Sequence, residues 1–215
     1  MDQLRKRHNQ AKRDLINQWV SPNSYVLDCG CGRGGDWHKW KAVGARVAAI
    51  DPDGKSLLEA EERSMDIGIG VWFLGAGDIR QAAFAGPFDV VCYNFSIQYI
   101  FGDHFQQSIK AIKLAVKPGG HLIGITPEKS LIESANSPDA LGNVFEVHGD
   151  TVMMSLTEGP FYADGPKYEP LLDGNVFRQA LEPEFRCVAW GPIAPEKTGL
   201  VTDIYAHFVF LRLDQ

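Results

Sequence analysis

Five short apolar runs punctuate the first part of the chain, at residues 25–29, 46–50, 71–74, 89–93 and 121–125. None alternates strictly between apolar and polar positions, which predicts strands buried on both faces, as in a parallel sheet. Between them the spacing turns helical. Residues 57–65 keep their acids to one face, and 105–116 run into Lys117-Pro118-Gly119-Gly120, a strong helix stop. Strand and helix in turn predict a doubly wound α/β sheet with right-handed crossovers. The rhythm breaks after Pro127. Residues 138–173 are rich in Gly, Pro and Asp, with one β-like run at 151–156. They read as an irregular insertion or short hairpin lying over the sheet, so that residues 1–215 form one domain. A helix at 175–181 and strands near 186–190 and 204–213 complete the expected elements.

Composition narrows the class. Hydrophobic residues make up 45% and charged residues 22%, enough apolar material to bury a core in a soluble globular protein. No apolar run is long enough to span a bilayer, and residues 1–13 are basic and polar, without the apolar stretch of a secretory signal. The formal net charge of −6 argues against broad, sequence-independent binding to nucleic acid. Its sign is uneven, however. Arg5, Lys6, Arg7, Lys12 and Arg13 crowd the N-terminus against Asp2. Two readings stand: a solvated basic helix end, or a local seat for phosphates. Cys29 and Cys31 lie too close in sequence to bridge easily, Cys92 falls in a buried-looking run and Cys187 is remote, so reduced thiols in an intracellular compartment are expected. No zinc site is expected, since no second cysteine pair or histidine cluster completes a tetrahedral set.

The candidate chemistry starts at the first strand. Val26-Leu27-Asp28-Cys29-Gly30-Cys31-Gly32-Arg33-Gly34-Gly35-Asp36 forms a glycine turn that opens a helix. Glycines permit a tight turn and let a ligand approach the backbone. A dinucleotide-type G-x-G-x-x-G spacing would end at Gly35, so NAD has to be weighed. Asp28 and Asp36 flank the turn, however, and carboxylates repel a pyrophosphate while suiting a ligand with an ammonium and a sulfonium centre. The charge pattern therefore favours S-adenosylmethionine. Asp51 closes the second run, where a carboxylate accepts hydrogen bonds from a ribose diol; helix capping is its structural alternative, a role that Asp53 fills more naturally. Asp78 follows the third run, where an adenine amino group would lie or where a turn needs a cap. Together these acids converge on the crevice where open α/β sheets bind ligands.

With 28–36 joined to Asn94-Phe95-Ser96-Ile97-Gln98-Tyr99, the chain resembles the mRNA cap guanine-N7 methyltransferases of eukaryotes and large viruses. The likeness begins at Arg5, Asn9 and Lys12, which match an R-x-x-x-N-x-x-K signature, and runs through 28–40, 88–101 and 118–127 to 202–210. It implies a Rossmann-like class I methyltransferase fold that uses S-adenosylmethionine, with S-adenosylhomocysteine as product, to methylate guanine N7 of the cap. By position, the resemblance makes Lys12, Asp28, Gly30, Gly32, Asp36, Asp51, Asp78, Ile79, Asn94, Ser96 and Tyr99 neighbours of the cofactor, with Lys12 and Asp36 toward its methionine end. It sets His8, Asn9, Arg33, Phe95, Gln98, Pro127, Glu169 and Tyr205 around the cap. Glu169, or Asp173 in its stead, would accept from guanine N1–H and the exocyclic amine. Phe95 and Tyr205 would pack on the purine, and Arg33 and the basic N-terminus would meet the triphosphate; a core role is the alternative for Tyr205. The family usually has histidine at Gln98 and asparagine at His8.

No histidine or cysteine stands out as a poised base or nucleophile, so no acid–base pair is nominated. The implied partner is a capped RNA 5′ end, with guanylyltransferase and triphosphatase domains or an activating subunit as companions and no membrane. The implied location is the nucleus for a cellular protein, and the cytoplasm or virion for a viral one. A small-molecule methyltransferase and a non-catalytic cap-binding subunit on the same fold remain open alternatives.

Overall fold

The computed structural model describes residues 3–82, 86–157 and 164–214. Residues 158–163 of the expected insertion and Asp2 of the N-terminal charge cluster lie outside them. Helix α1 (Gln3–Trp19) leads into strand β1 (Tyr25–Cys29), followed by α2 (Trp37–Val43), β2 (Arg46–Asp51), α3 (Gly54–Ile67) and β3 (Val71–Ala76). After the short α4 (Ile79–Ala82) come β4 (Phe88–Asn94), α5 (Phe105–Ala115), β5 (Val116–Pro127) and α6 (Lys129–Ser134). Three short strands then follow, β6 (Val144–His148), β7 (Thr151–Ser155) and β8 (Lys167–Pro170). The chain ends on α7 (Gly174–Leu181), β9 (Phe185–Pro192) and β10 (Tyr205–Arg212).

The main sheet has seven strands in the order β3-β2-β1-β4-β5-β10-β9. Strands β1 to β5 are parallel, and β10 runs antiparallel to both of its neighbours. This is the expected doubly wound sheet, a Rossmann-like class I methyltransferase fold. The continuous apolar runs have a direct cause. Val26, Val47, Ala49, Val90 and Cys92 enter one buried cluster, with Leu15 and Ile16 of α1 and Trp40 of α2. Their alternating neighbours Leu27, Ala48, Ile50, Val91 and Tyr93 enter a second, with Ile109 and Ile112 of α5 and Phe177 of α7. Both faces of the strands are covered, so neither face is polar. The strands' carboxyl ends therefore deliver the glycine turn, Asp51, Gly77 and Phe95 to one edge of the sheet.

Two expectations are corrected. Strand β5 begins at Val116 and runs through the Pro-Gly-Gly stop, with Phe88 of β4 pairing Val116 before the register shifts. The insertion is not irregular: β6, β7 and β8 form an antiparallel three-stranded sheet. Phe145, Val152, Met154 and Glu169 are its buried positions, and Glu146, His148 and Tyr168 are exposed. These strands are only four or five residues long. Their alternation is too brief to rise above the surrounding turn residues.

One carboxylate fastens this small sheet to the body. Asp139, 8% exposed, accepts from Leu141 N at 2.8 Å, Asn143 N at 2.9 Å and Asn143 Nδ2 at 2.8 Å. It also accepts, at 2.6 Å, from Val201 N, which opens the 3-10 turn Val201–Ile204 leading into β10. Asp139→Ala leaves these donors unpaired and is expected to cost about 1.5–3 kcal/mol, the range for hydrogen bonds to a charged group. Urea denaturation reads that loss. Amide exchange should quicken selectively in β6–β8; protection unchanged there would show that the sheet is held by other means.

Candidate functional site

Gly30, Gly32 and Gly34 all adopt left-handed backbone, at φ +74°, +53° and +69°. At Gly30 the requirement is doubled, because a Cβ would come within 2.5 Å of Ser96 Cβ. Ser96 backs this turn by donating Oγ–H to the Cys29 carbonyl at 2.6 Å. The third obligatory glycine is Gly34, where a Cβ would overlap the Trp37 indole. Gly35 has no positive φ. The backbone thus needs glycine at 30, 32 and 34, a different spacing from the dinucleotide pattern. Asp51, at the end of β2, accepts from Gly32 N at 2.8 Å on one oxygen and from Asp53 N at 2.9 Å on the other. Each oxygen keeps a lone pair in reserve. Asp53 itself caps α3, accepting from Lys55 N at 3.1 Å.

Behind the turn lies a buried charge cluster. Asp36 accepts from Lys39 Nζ at 2.7 Å, Asn94 Nδ2 at 3.0 Å and Lys12 Nζ at 3.1 Å. Lys39 also donates to Asn9 Oδ1 at 2.9 Å. Burial works to raise the Asp36 pKa, but the two lysines outweigh it and hold the carboxyl down at about 2. Asp28 has the opposite fate. Burial first, then the neighbouring Asp36 charge, push it up to about 7, against the Trp40 indole N–H that it accepts at 2.8 Å. Lys12, Asp28, Asp36 and Asn94 were expected beside the cofactor and Asn9 beside the cap. None of the five is among the residues that line the cleft; Asp28 is engaged by Trp40 and Asp36 by Lys12, Lys39 and Asn94, while Asn94 Oδ1 is buried without a hydrogen-bond partner among the described residues. Lys12 reaches forward only as far as the Phe95 ring, 5.2 Å from its centroid.

The cleft, about 950 Å³, is lined at one end by Gly30, Gly32, Asp51, Asp78, Ile79 and Ser96. Asp78 accepts from Arg80 Nε at 2.9 Å and is pulled below the usual carboxylate range, first by that bond. The other end brings together His8, Phe95, Gln98, Tyr99, Glu169 and Tyr205. Ring centroids lie 5.1 Å apart for His8–Phe95, 4.8 Å for His8–Tyr205 and 5.0 Å for Phe95–Tyr205. Glu169 is 3% exposed and accepts from Gln98 Nε2 at 2.9 Å and from the Tyr99 hydroxyl. The Gln98 Oε1 atom is buried without a hydrogen-bond partner among the described residues. The Tyr99 and Tyr205 hydroxyls are held protonated well above their usual range, first by burial and then by the Glu169 charge.

Of three further assignments, one lies at the cleft rim and two are not among its lining residues. Arg33 lines the rim, exposed and 3.4 Å from Glu59. Pro127 pairs with Tyr205 across β5 and β10 and is not among the residues that line the cleft. Asp173 caps α7, accepting from Asn175 N at 2.9 Å, and does not line the cleft. Tyr93, His104, Ser108 and Lys167 line it unannounced by motif. Only Lys167 had a legible signal, its place two residues before Glu169 on the same face of a short strand.

Asp28 and Asp36 make opposite contributions to stability. A carboxyl near 7 when folded, against an ordinary 3.8, keeps its proton in the native state while the unfolded chain releases it. Stability then falls as pH rises from about 4 to 7, by up to about 4 kcal/mol. Asp36, held low, contributes stability above pH 4 that is lost as pH falls toward 2. Asp28→Asn is expected to remove the fall between pH 5 and 7.5 in urea midpoints. An equal fall in parent and variant would assign it to other groups.

A family model described as a methyltransferase domain matches residues 26–120. The mRNA cap guanine-N(7) methyltransferase of Caenorhabditis elegans is 34% identical over 200 residues, covering 80% of this chain and 52% of that protein. Its namesake in Saccharomyces cerevisiae is 28% identical over 144 residues, 60% of this chain and 33% of that protein. The chain thus spans about half the length, or less, of these curated relatives. Among solved structures, an S-adenosylmethionine-dependent methyltransferase from Clostridium acetobutylicum superposes with a TM-score of 0.72 at 17% identity, covering 97% of this chain and 92% of that one. Sheet order, glycine turn and comparisons agree: this chain has a Rossmann-like class I methyltransferase fold and is similar in sequence to the mRNA cap guanine-N(7) methyltransferases.

Proposed function

We propose that the chain transfers a methyl group from S-adenosylmethionine to guanine N7 of an mRNA 5′ cap. The observation that carries this reading is Glu169, a buried carboxylate steadied by Gln98 and Tyr99 beside the rings of His8, Phe95 and Tyr205. Guanine offers N1–H and N2–H₂ donors side by side, whereas adenine has an acceptor at N1 and no amine at C2. A fixed carboxylate suits the first pattern and not the second. The unpartnered Gln98 Oε1 adds a further acceptor next to it. Aromatic faces near such an edge suit a stacked purine.

The residues at the other end of the cleft fit the cofactor. A Cβ at Gly32 would meet nothing within 4 Å, so this backbone faces open space. Asp51 keeps acceptor capacity for a diol, and two lysines on the single Asp36 carboxylate leave a positive bias behind the turn, suited to a ligand carboxylate. When bound, S-adenosylmethionine supplies a methyl group on a positively charged sulfur. The chain's own part is positioning. Guanine N7 carries a free lone pair at neutral pH, so no side chain has to remove a proton. Holding the reactants in line is worth up to about 7–11 kcal/mol in favourable systems. Positive charge collects on the purine as the methyl arrives, and Glu169 stabilises it more in the transition state than before. The acceptor is the 5′ end of an RNA whose guanylyl group was added by a separate activity, on another domain or another chain.

Asp51→Ala is expected to weaken S-adenosylmethionine binding by about 1–3 kcal/mol, measured by calorimetry. Unchanged affinity in a folded variant would remove Asp51 from the site. Glu169→Gln turns half of the acceptor fork into a donor and should lower methylation of GpppA roughly ten- to a hundred-fold, with cofactor affinity intact. Asp173→Asn, altering a helix cap and an ion pair with Lys129 away from the cleft lining, should leave methylation near the parent's. Parent-like activity in Glu169→Gln would end the guanine-reading role.

A further inference from the structure

Lys167 belongs to no motif and has no role in the reading above, yet its position is unusual for a lysine. Side chains alternate along β8, so Tyr168, 66% exposed, points away while Lys167 and Glu169 share the inner face. Both line the cleft. Across the small sheet Lys167 stands in register with Met154, which pairs in turn with Phe145. These partners are 1% and 3% exposed. A lysine at the end of a buried apolar row packs its stem there and sends its ammonium on to whatever lies beyond. Here that is the cleft.

The charges around it sharpen the point. Two other cations lining the cleft are tied to carboxylates, Arg33 to Glu59 and Arg80 to Asp78. Glu169 is engaged by Gln98 and Tyr99. Among the described residues the Lys167 side chain has neither a hydrogen bond nor an ion pair. Acids are otherwise prominent in the wall, with Asp51, Asp53 and Asp78 at one end and Asp164 and Glu169 at the other. A polyanionic substrate entering here needs a cation close to the base-reading carboxylate, and β8 provides one two residues along the same face, about 7 Å away.

We infer that Lys167 is a phosphate-binding residue, and that the polyphosphate of the cap runs from the base site along the inner face of the inserted sheet. This rests on the cap reading, and it assigns the phosphates to β8 as well as to the basic end of α1, whose Arg5 lines the same cleft.

The test compares binding of guanosine, GTP and GpppA to the parent, Lys167→Met, Lys167→Arg and Lys167→Glu, by calorimetry at several salt concentrations. Lys167→Met should weaken GTP and GpppA five-fold or more, leave guanosine unchanged and lower the salt slope by about one. Lys167→Arg should restore most of the affinity, and Lys167→Glu should lose more than Lys167→Met. Inorganic tripolyphosphate should compete with GpppA on the parent and far less on the Met variant. Parent-like binding in Lys167→Met, or an equal loss for guanosine and GpppA, would overturn the assignment while leaving the cap reading in place. A folded parent that binds none of the guanine compounds would overturn both.

Discussion

Asp36 accepts from Lys12 on the first helix, Lys39 on the second and Asn94 at the end of β4, drawing together segments far apart in sequence. A carboxylate taken out of water is expensive unless its oxygens are filled with donors, and here both are. The arrangement is strongly asymmetric toward disruption, because removing the carboxylate would leave two ammonium groups facing each other below the surface. Its geometric consequence matters more than its energy. Lys12 anchors α1 so that His8 and Arg5, one and two turns earlier, arrive at the cleft. The aromatic wall of the acceptor end depends on a helix that is otherwise held by apolar contacts from Leu4, Leu15 and Ile16.

That dependence explains the division between what could be read along the chain and what could not. The parallel strands announced themselves, because burial on both faces removes polar residues and leaves continuous apolar runs. The glycine turn was legible through its composition, though not the choice of Gly34 over Gly35, which turns on the position of the Trp37 ring. Strand-end acids were legible as a set. Sequence gives their height on the sheet and not the direction of the side chain, so Asp51 in the cleft and Asp28 against Trp40 look alike on paper. Glu169 and Asp173, four residues apart, could be told apart on sequence only by alignment, whereas the fold buries Glu169 beside Gln98 and makes Asp173 a helix cap. The inserted sheet was hardest, since four- and five-residue strands among turn residues carry little periodic signal.

Charge is sorted along the cleft. Asp51, Asp53 and Asp78 gather at the end formed by β2 and β3, beneath a ligand expected to carry positive centres. The opposite end is built from α1, the turn after β4 and the small sheet, elements at the rim of the wound sheet. On the proposed reading, a scaffold common to many chemistries takes its acceptor at additions to its rim.

Phe95 shows what that acquisition demands of the backbone. It sits at φ +64°, in the left-handed region that a bulky residue occupies at a cost on the order of 1–3 kcal/mol. Its N–H is pinned to the Ile125 carbonyl at 2.7 Å and its ring is wedged between His8 and Tyr205. Glycine or asparagine would relax the chain at this corner but abandon the ring. Selection for stability alone would therefore drift away from phenylalanine here, and a directed-evolution campaign for heat resistance that left acceptor recognition unscreened would be expected to erase this residue early.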